Sequence, residues 1–114
     1  MKESPIFTRT YDLLSRLIPQ TVKFPRQQRC VVAAALSRTA FRFQEELIDA
    51  SFSKNPLPVL EQADSTLTKL RFYLRLSHDL KLFSSGQYEH VSAMVTEIGR
   101  LLGGWKKSLR KRVK

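Results

Sequence analysis

Cysteine is almost missing from this chain. Cys30 is the only one in 114 residues, which excludes an internal disulfide and a cysteine-based zinc site. A lone thiol fits a reducing compartment. Glycine is nearly as scarce, with four in all and none before Gly86. There is accordingly no phosphate-cradling glycine loop and no nucleophile elbow. Long apolar runs are lacking too. The longest, Cys30 to Leu36, covers seven residues, against the roughly 20 that a membrane-spanning helix needs. Behind Met1-Lys2-Glu3-Ser4-Pro5 comes no apolar stretch of signal-peptide type. The expectation is a soluble, cytoplasmic protein without membrane contact.

Catalytic groupings are equally hard to find. His78 and His90 stand 12 apart, and neither has a carboxylate or a second histidine at metal-ligand spacing. The Glu-x-x-His pairs of a di-iron bundle are missing. Glu45, Glu46 and Asp49 lie within one helical turn, where carboxylates are more often solvated or ion-paired than catalytic. Cys30, inside an apolar run, reads as a small core residue. No enzyme, no metal and no cofactor is expected.

Positive charge, by contrast, is abundant. Twenty Lys and Arg face ten Asp and Glu, for a net charge of +10 and a pI near 10.3. Such a balance favours polyanionic partners: nucleic acid, an anionic membrane surface or an acidic protein. With a mass of 13.2 kDa and 42% apolar residues, the chain suits one folded domain.

Apolar spacing divides the chain into four helical segments, at about 5–22, 25–53, 57–83 and 85–108. In the first, Phe7, Tyr11, Leu14 and Ile18 form one stripe, with Leu13 and Leu17 beside it. Pro19 should bend or end that helix. The second opens near Pro25, at a position proline suits. It carries Val32, Leu36, Thr39, Phe43 and Leu47, widened by Ala34, Phe41, Ile48 and Phe52. The third carries Leu60, Ala63, Leu67, Leu70 and Leu74, with Tyr73, Leu76, Leu80 and Phe83 in a second row. Ser84 to Gln87 has the form of a capping box, flanked by Phe83 and Tyr88 where a hydrophobic staple would join. In the fourth, Tyr88, Val91, Val95, Ile98, Leu102, Trp105 and Leu109 alternate steps of three and four. Gly99, Gly103 and Gly104 interrupt it; they either admit a neighbouring backbone or mark a fraying end. With no strand alternation and short connections, the economical fold is all-α, an elongated up-down-up-down four-helix bundle over 1–108. Residues 109–114 would form a basic tail.

The basic residues fall into two groups. Residues 106–114 hold six and no acidic residue; Lys106, Lys107, Arg110, Lys111 and Arg112 are the candidate contacts there. The tail could equally be a solubilising end. In the body, Arg71, Arg75 and His78 follow one another at steps of four and three, and Arg38 and Arg42 form a similar pair. Like charges four apart slightly destabilise a helix, so a solvated face gains nothing from them. Arg71 and Arg75 could pair with Glu45, Glu46 or Asp49, in this chain or another subunit, or bind phosphate directly. The aromatic residues that could stack bases are mostly assigned to the core.

The segments Thr10-Tyr11-Asp12-Leu13-Leu14, Lys23-Phe24-Pro25, Leu70-Arg71-Phe72-Tyr73-Leu74-Arg75 and Glu97-Ile98-Gly99-Arg100-Leu101-Leu102-Gly103-Gly104-Trp105 resemble the accessory variability determinant (Avd) proteins of diversity-generating retroelements. The resemblance runs from about 6 to 108. A more distant one is to four-helix proteins encoded by intervening sequences in bacterial 23S ribosomal RNA genes. The resemblance to Avd proteins implies a homopentameric barrel of four-helix protomers with a positive surface. It also implies non-enzymatic binding of an error-prone reverse transcriptase and of RNA and DNA, in support of mutagenic retrohoming. Arg71 and Arg75 fall on the two arginine positions of the family's helix 3 segment, and Arg100 lies within its helix 4 segment. The alternative is a helical interaction module that docks on an acidic protein without a nucleic-acid role.

Overall fold

The computed structural model describes residues 4–113, and for residues 28–30, 112 and 113 the backbone alone. The expectations for the side chains of Cys30 and Arg112 lie outside the described residues. Every element is helical: α1 (Pro5–Val22), α2 (Arg26–Gln28, Arg29–Ala33 and Ala34–Phe52 in one run), α3 (Pro56–Asp79) and α4 (Ser85–Val113). Connections of three to five residues join them, so sequential helices lie side by side as antiparallel neighbours. α1 packs on α2 and α4, and α3 packs on the same two. The bundle measures 50 × 23 × 22 Å.

Three of the four main apolar rows supply most of the core, although in α2 Ala40 is buried where Thr39 was expected, and Phe41, Phe52, Leu76 and Leu80 of the flanking rows are exposed. Leu60, Ala63, Leu67, Leu70 and Leu74 of α3 are buried, as are Leu36, Phe43 and Leu47 of α2 and Val91, Val95, Ile98 and Leu102 of α4. α1 is different. Its buried row is Ile6, Thr10, Leu13, Leu17 and Thr21, while Tyr11 of the expected stripe is 65% exposed. Two threonines can occupy a core row because each hydroxyl donates to a backbone carbonyl of its own helix, Thr10 to Ile6 and Thr21 to Ile18, both at 2.7 Å. A hydroxyl satisfied in this way loses little on burial. Ser77 uses the same device on Tyr73 at 2.8 Å and is buried in α3.

α1 has the expected bounds and runs through Pro19 to Val22. Other boundaries depart from expectation in instructive ways. A π-helical turn at Arg29–Ala33 sits inside α2. α3 stops at Asp79 rather than 83, because Lys81 takes a left-handed conformation with φ of 63°. The Leu82 amide donates to the Ser77 carbonyl and the Lys81 amide to that of His78, both at 2.9 Å. That is a Schellman closure with lysine where glycine is usual. The chain then turns Phe83 inward, edge-on to Phe24 at 5.2 Å.

α4 begins with the expected capping box. The Ser84 amide donates to Gln87 Oε1 at 2.9 Å, and the Gln87 amide to Ser84 Oγ at 3.1 Å. The ring contacts of the expected staple go elsewhere: Phe83 meets Phe24, and Tyr88 stacks on His78. At its far end α4 does not stop at 108 but runs on to Val113. Leu109 packs against the core, and Lys106 and Arg110 on either side of it are held by carboxylates of α3. No tail begins at 109; 109–113 continue the last helix.

Candidate nucleic-acid interface

The basic side chains divide by whether a carboxylate already holds them. Lys106 is held most firmly. It is only 8% exposed, and its ammonium donates to Asp64 Oδ2 at 2.7 Å and pairs with Glu61 Oε1 at 3.0 Å. Those two hydrogen bonds raise the Lys106 pKa above the ordinary lysine value. Arg110 reaches the other oxygen of Glu61 at 2.7 Å. Glu61, hydrogen-bonded first by Lys106 and then by Arg110, is held below the usual carboxylate range. Together the four residues clamp the end of α4 to the start of α3. Arg100 is bound through two nitrogens to Glu97, at 3.2 and 2.6 Å, and lowers that carboxyl's pKa. Lys106, expected as an open contact, is thus an internal pin, and Arg100 and Arg110 are engaged on the surface.

Other expected contacts are less committed. Arg38 and Arg42 of α2 are exposed, as are Lys107 and Lys111 of α4. Arg75 is exposed, with its Nε 3.9 Å from Asp79 Oδ2, a solvated pair of little strength. Neither arginine of α3 pairs with Glu45, Glu46 or Asp49 among the described residues. Glu46 instead has a pKa raised by partial burial, which the Thr66 hydroxyl and then the nearby Arg42 and Lys69 only partly offset. Arg71 has no carboxylate partner among the described residues.

Arg71 has a built seat nonetheless. Its guanidinium lies over the backbone of Gly99 on α4, where a β-carbon would collide with Nη2. Beside it opens a groove of about 480 Å³ lined by Thr68, Lys69, Arg71, Phe72, Arg75 and Tyr88, among others. A smaller hollow of about 190 Å³ continues from Arg71 and Tyr88 along Ser92 and Thr96. The Tyr88 ring is stacked on His78 with centroids 4.5 Å apart and planes 21° apart, and His78 Nδ1 is 3.6 Å from Asp79 Oδ1. The fold thus brings Arg71, Arg75 and His78 to one side of α3, at its junction with α4. The α2 pair and the exposed lysines of α4 lie on other helices.

Three residues of this groove were not among the contacts expected from the sequence. Lys69 completes the basic rim, and Tyr88 carries the His78 stack. Phe72 is the largest omission, at 71% exposed. Its position was the available signal: 72 lies off the 60–63–67–70–74 core row. Among the described residues no three His, Cys, Asp or Glu side chains gather as a metal site. No helix among them is long and apolar enough to cross a membrane.

Comparison with known proteins adds a family and a fold. The profile of the family described as bAvd-like matches residues 5–109. A crystal structure from Bacteroides thetaiotaomicron VPI-5482, of a protein of unknown function in the S23 ribosomal protein family, is similar with a TM-score of 0.79. It is 18% identical, and the match covers 90% of this chain and 98% of that one. At that identity the likeness concerns the fold alone. No curated protein matches.

Proposed function

The chain belongs to the bAvd-like family, the bacterial accessory variability determinants, and from that premise we propose that it is a non-enzymatic accessory protein of a diversity-generating retroelement. In this reading it works in the cytoplasm as a homopentameric barrel. It binds the error-prone reverse transcriptase and the template RNA or cDNA through its basic surface, in support of mutagenic retrohoming. The observation that carries the reading is the state of Arg71: exposed, seated on Gly99, and without a carboxylate partner among the described residues. A guanidinium held in place without a counter-charge is suited to phosphate or to an acidic partner.

Arg75, Lys69 and His78 share that side of the bundle, while Arg38, Arg42, Lys107 and Lys111 add exposed positive charge elsewhere. Contacts of this kind position a strand without reading its sequence. Their number is measurable, since each phosphate neutralised adds about −0.9 to the log–log salt slope on duplex and about −0.7 on single strands. Gel shift with RNA and with RNA–DNA hybrid across a salt series tests the nucleic-acid part. The reading expects binding that weakens steeply with salt. A protein that binds neither at low salt, yet captures an acidic polypeptide, is instead an interaction module without a nucleic-acid role. Light scattering tests the assembly, and a strict monomer at micromolar concentration removes the barrel from the proposal.

A further inference from the structure

Phe72 is the most exposed large apolar side chain of α3, well ahead of Leu76 at 39%. Its ring is 71% exposed on α3, while Leu70 and Leu74 on either side are fully buried. Charge surrounds it. Lys69 and Arg75 stand three residues before and after it on the same helix, and Arg71 lines the same groove. Residues three apart share a helix face, so Lys69, Phe72 and Arg75 span about 9 Å of axis with the ring in the middle. None of these three cations has a close internal partner: Arg75 has only the 3.9 Å approach to Asp79, Lys69 feels Glu46 only at longer range, and no ion pair engages Lys69 or Arg71 among the described residues. An exposed ring between uncommitted cations is the arrangement used to hold unpaired nucleotides, with bases on the aromatic face and phosphates on the rim.

We propose that Phe72 is a stacking platform for an unpaired base of a single-stranded nucleic acid, with Lys69, Arg71 and Arg75 holding the adjacent phosphates. This rests on the nucleic-acid reading above and deepens it, because it specifies the strand state. A phosphate-only surface holds a duplex as well as a single strand. A stacking ring adds affinity only where a base is free to leave its neighbours. The second stack, Tyr88 on His78, lines the side of the groove nearer α4 and already occupies one face of that ring, whereas Phe72 has no ring partner among the described residues. Preference for single strands thus resides in one side chain, while sequence tolerance is retained because every base has a π-face.

The test uses the whole chain and fluorescence anisotropy with a labelled oligouridine strand, its duplex, and the same strand carrying abasic sites. Phe72→Ala is expected to lower single-strand affinity about 5- to 100-fold, with the salt slope and the duplex affinity unchanged. Phe72→Trp should restore it, and abasic strands should bind wild type and Phe72→Ala alike. Circular dichroism melting should be unaltered, since the ring is solvated. Equal loss on strand and duplex, or no loss on either, overturns the stacking role while leaving basic-surface binding intact. A change of oligomeric state in Phe72→Ala without a change in strand affinity overturns it as well, by assigning the ring to a protein contact. If wild type binds no nucleic acid at all, the underlying reading fails together with it.

Discussion

The Arg71 guanidinium occupies the space that a side chain at position 99 would need. Two residues 28 apart in sequence are thereby coupled: Gly99 of α4 provides the floor on which Arg71 of α3 rests. The contact also explains a glycine in the middle of a 29-residue helix, where glycine costs about 1 kcal/mol relative to alanine.

Gly99→Ala therefore sets two effects against each other. Helix propensity improves, while the methyl group displaces the far end of a flexible side chain rather than backbone. The nearest other atom, Leu67 Cδ2, stays at an ordinary 3.6 Å. The expected outcome is a melting temperature equal to or above wild type, with weaker nucleic-acid binding because Arg71 has lost its pose. A drop in stability with binding retained would mean that Gly99 serves packing alone.

About two turns further along α4, Lys106 fastens that helix to α3 through Asp64 and Glu61. Lys106→Met keeps the apolar stem and removes the ammonium; the expected loss is on the order of 2 kcal/mol, as for hydrogen bonds to a charged group. The pH dependence has a definite sign. Lys106 has a raised pKa, so its contribution is complete below the ordinary lysine value of 10.5 and is lost as pH rises through its higher folded value. Glu61 has a lowered pKa, so its contribution is present above about 4.5 and is lost as pH falls through its lower folded value. Melting curves of wild type should fall off at both extremes, and those of Lys106→Met should lose the alkaline limb. An unchanged alkaline limb would place that pH sensitivity elsewhere.

What the sequence revealed and what it hid follow from how far apart the partners lie. The Ser84–Gln87 capping box was legible because both partners are three residues apart. The seams of α3 and α4 were legible because leucine, valine and isoleucine repeat at steps of three and four. In α1 two apolar rows run side by side, and local spacing has no way of showing that threonine hydroxyls would satisfy themselves and let Thr10 and Thr21 go inward. The end of α4 was misjudged for a different reason. Lys106 and Arg110 look like free tail charges until α3 brings Asp64 and Glu61 against them, from 42 and 49 residues away. Phe72 was hidden by composition: phenylalanine is usually core, and only its phase against Leu70 and Leu74 marks it as exposed.

The stop of α3 leads to a prediction about stability alone. Lys81 holds a positive φ that costs a residue with a β-carbon about 1 kcal/mol or more. Lys81→Gly removes that strain at the C′ position of the Schellman closure, where glycine is preferred. A gain of about 1 kcal/mol is expected, read as a higher denaturation midpoint at unchanged m-value. No gain would show that the lysine side chain compensates through the dipole at the helix end.

The sharpest separation of binding from architecture comes from Arg71→Ala combined with Arg75→Ala. Neither guanidinium holds a buried carboxylate; the one contact is the exposed Asp79, 3.9 Å from Arg75. Helicity, melting temperature and oligomeric state should therefore remain those of wild type. Binding to RNA should weaken, and the single-strand salt slope should fall by about 0.7 for each phosphate contact removed. Lys107→Ala with Lys111→Ala, at exposed positions of α4, is the matched control of equal charge loss. A comparable loss of affinity in that control would mean that net charge, and not the α3 groove, governs binding. Were the α3 double variant instead to unfold or dissociate, Arg71 and Arg75 would be holding a carboxylate of a neighbouring subunit, and the groove would be an assembly surface.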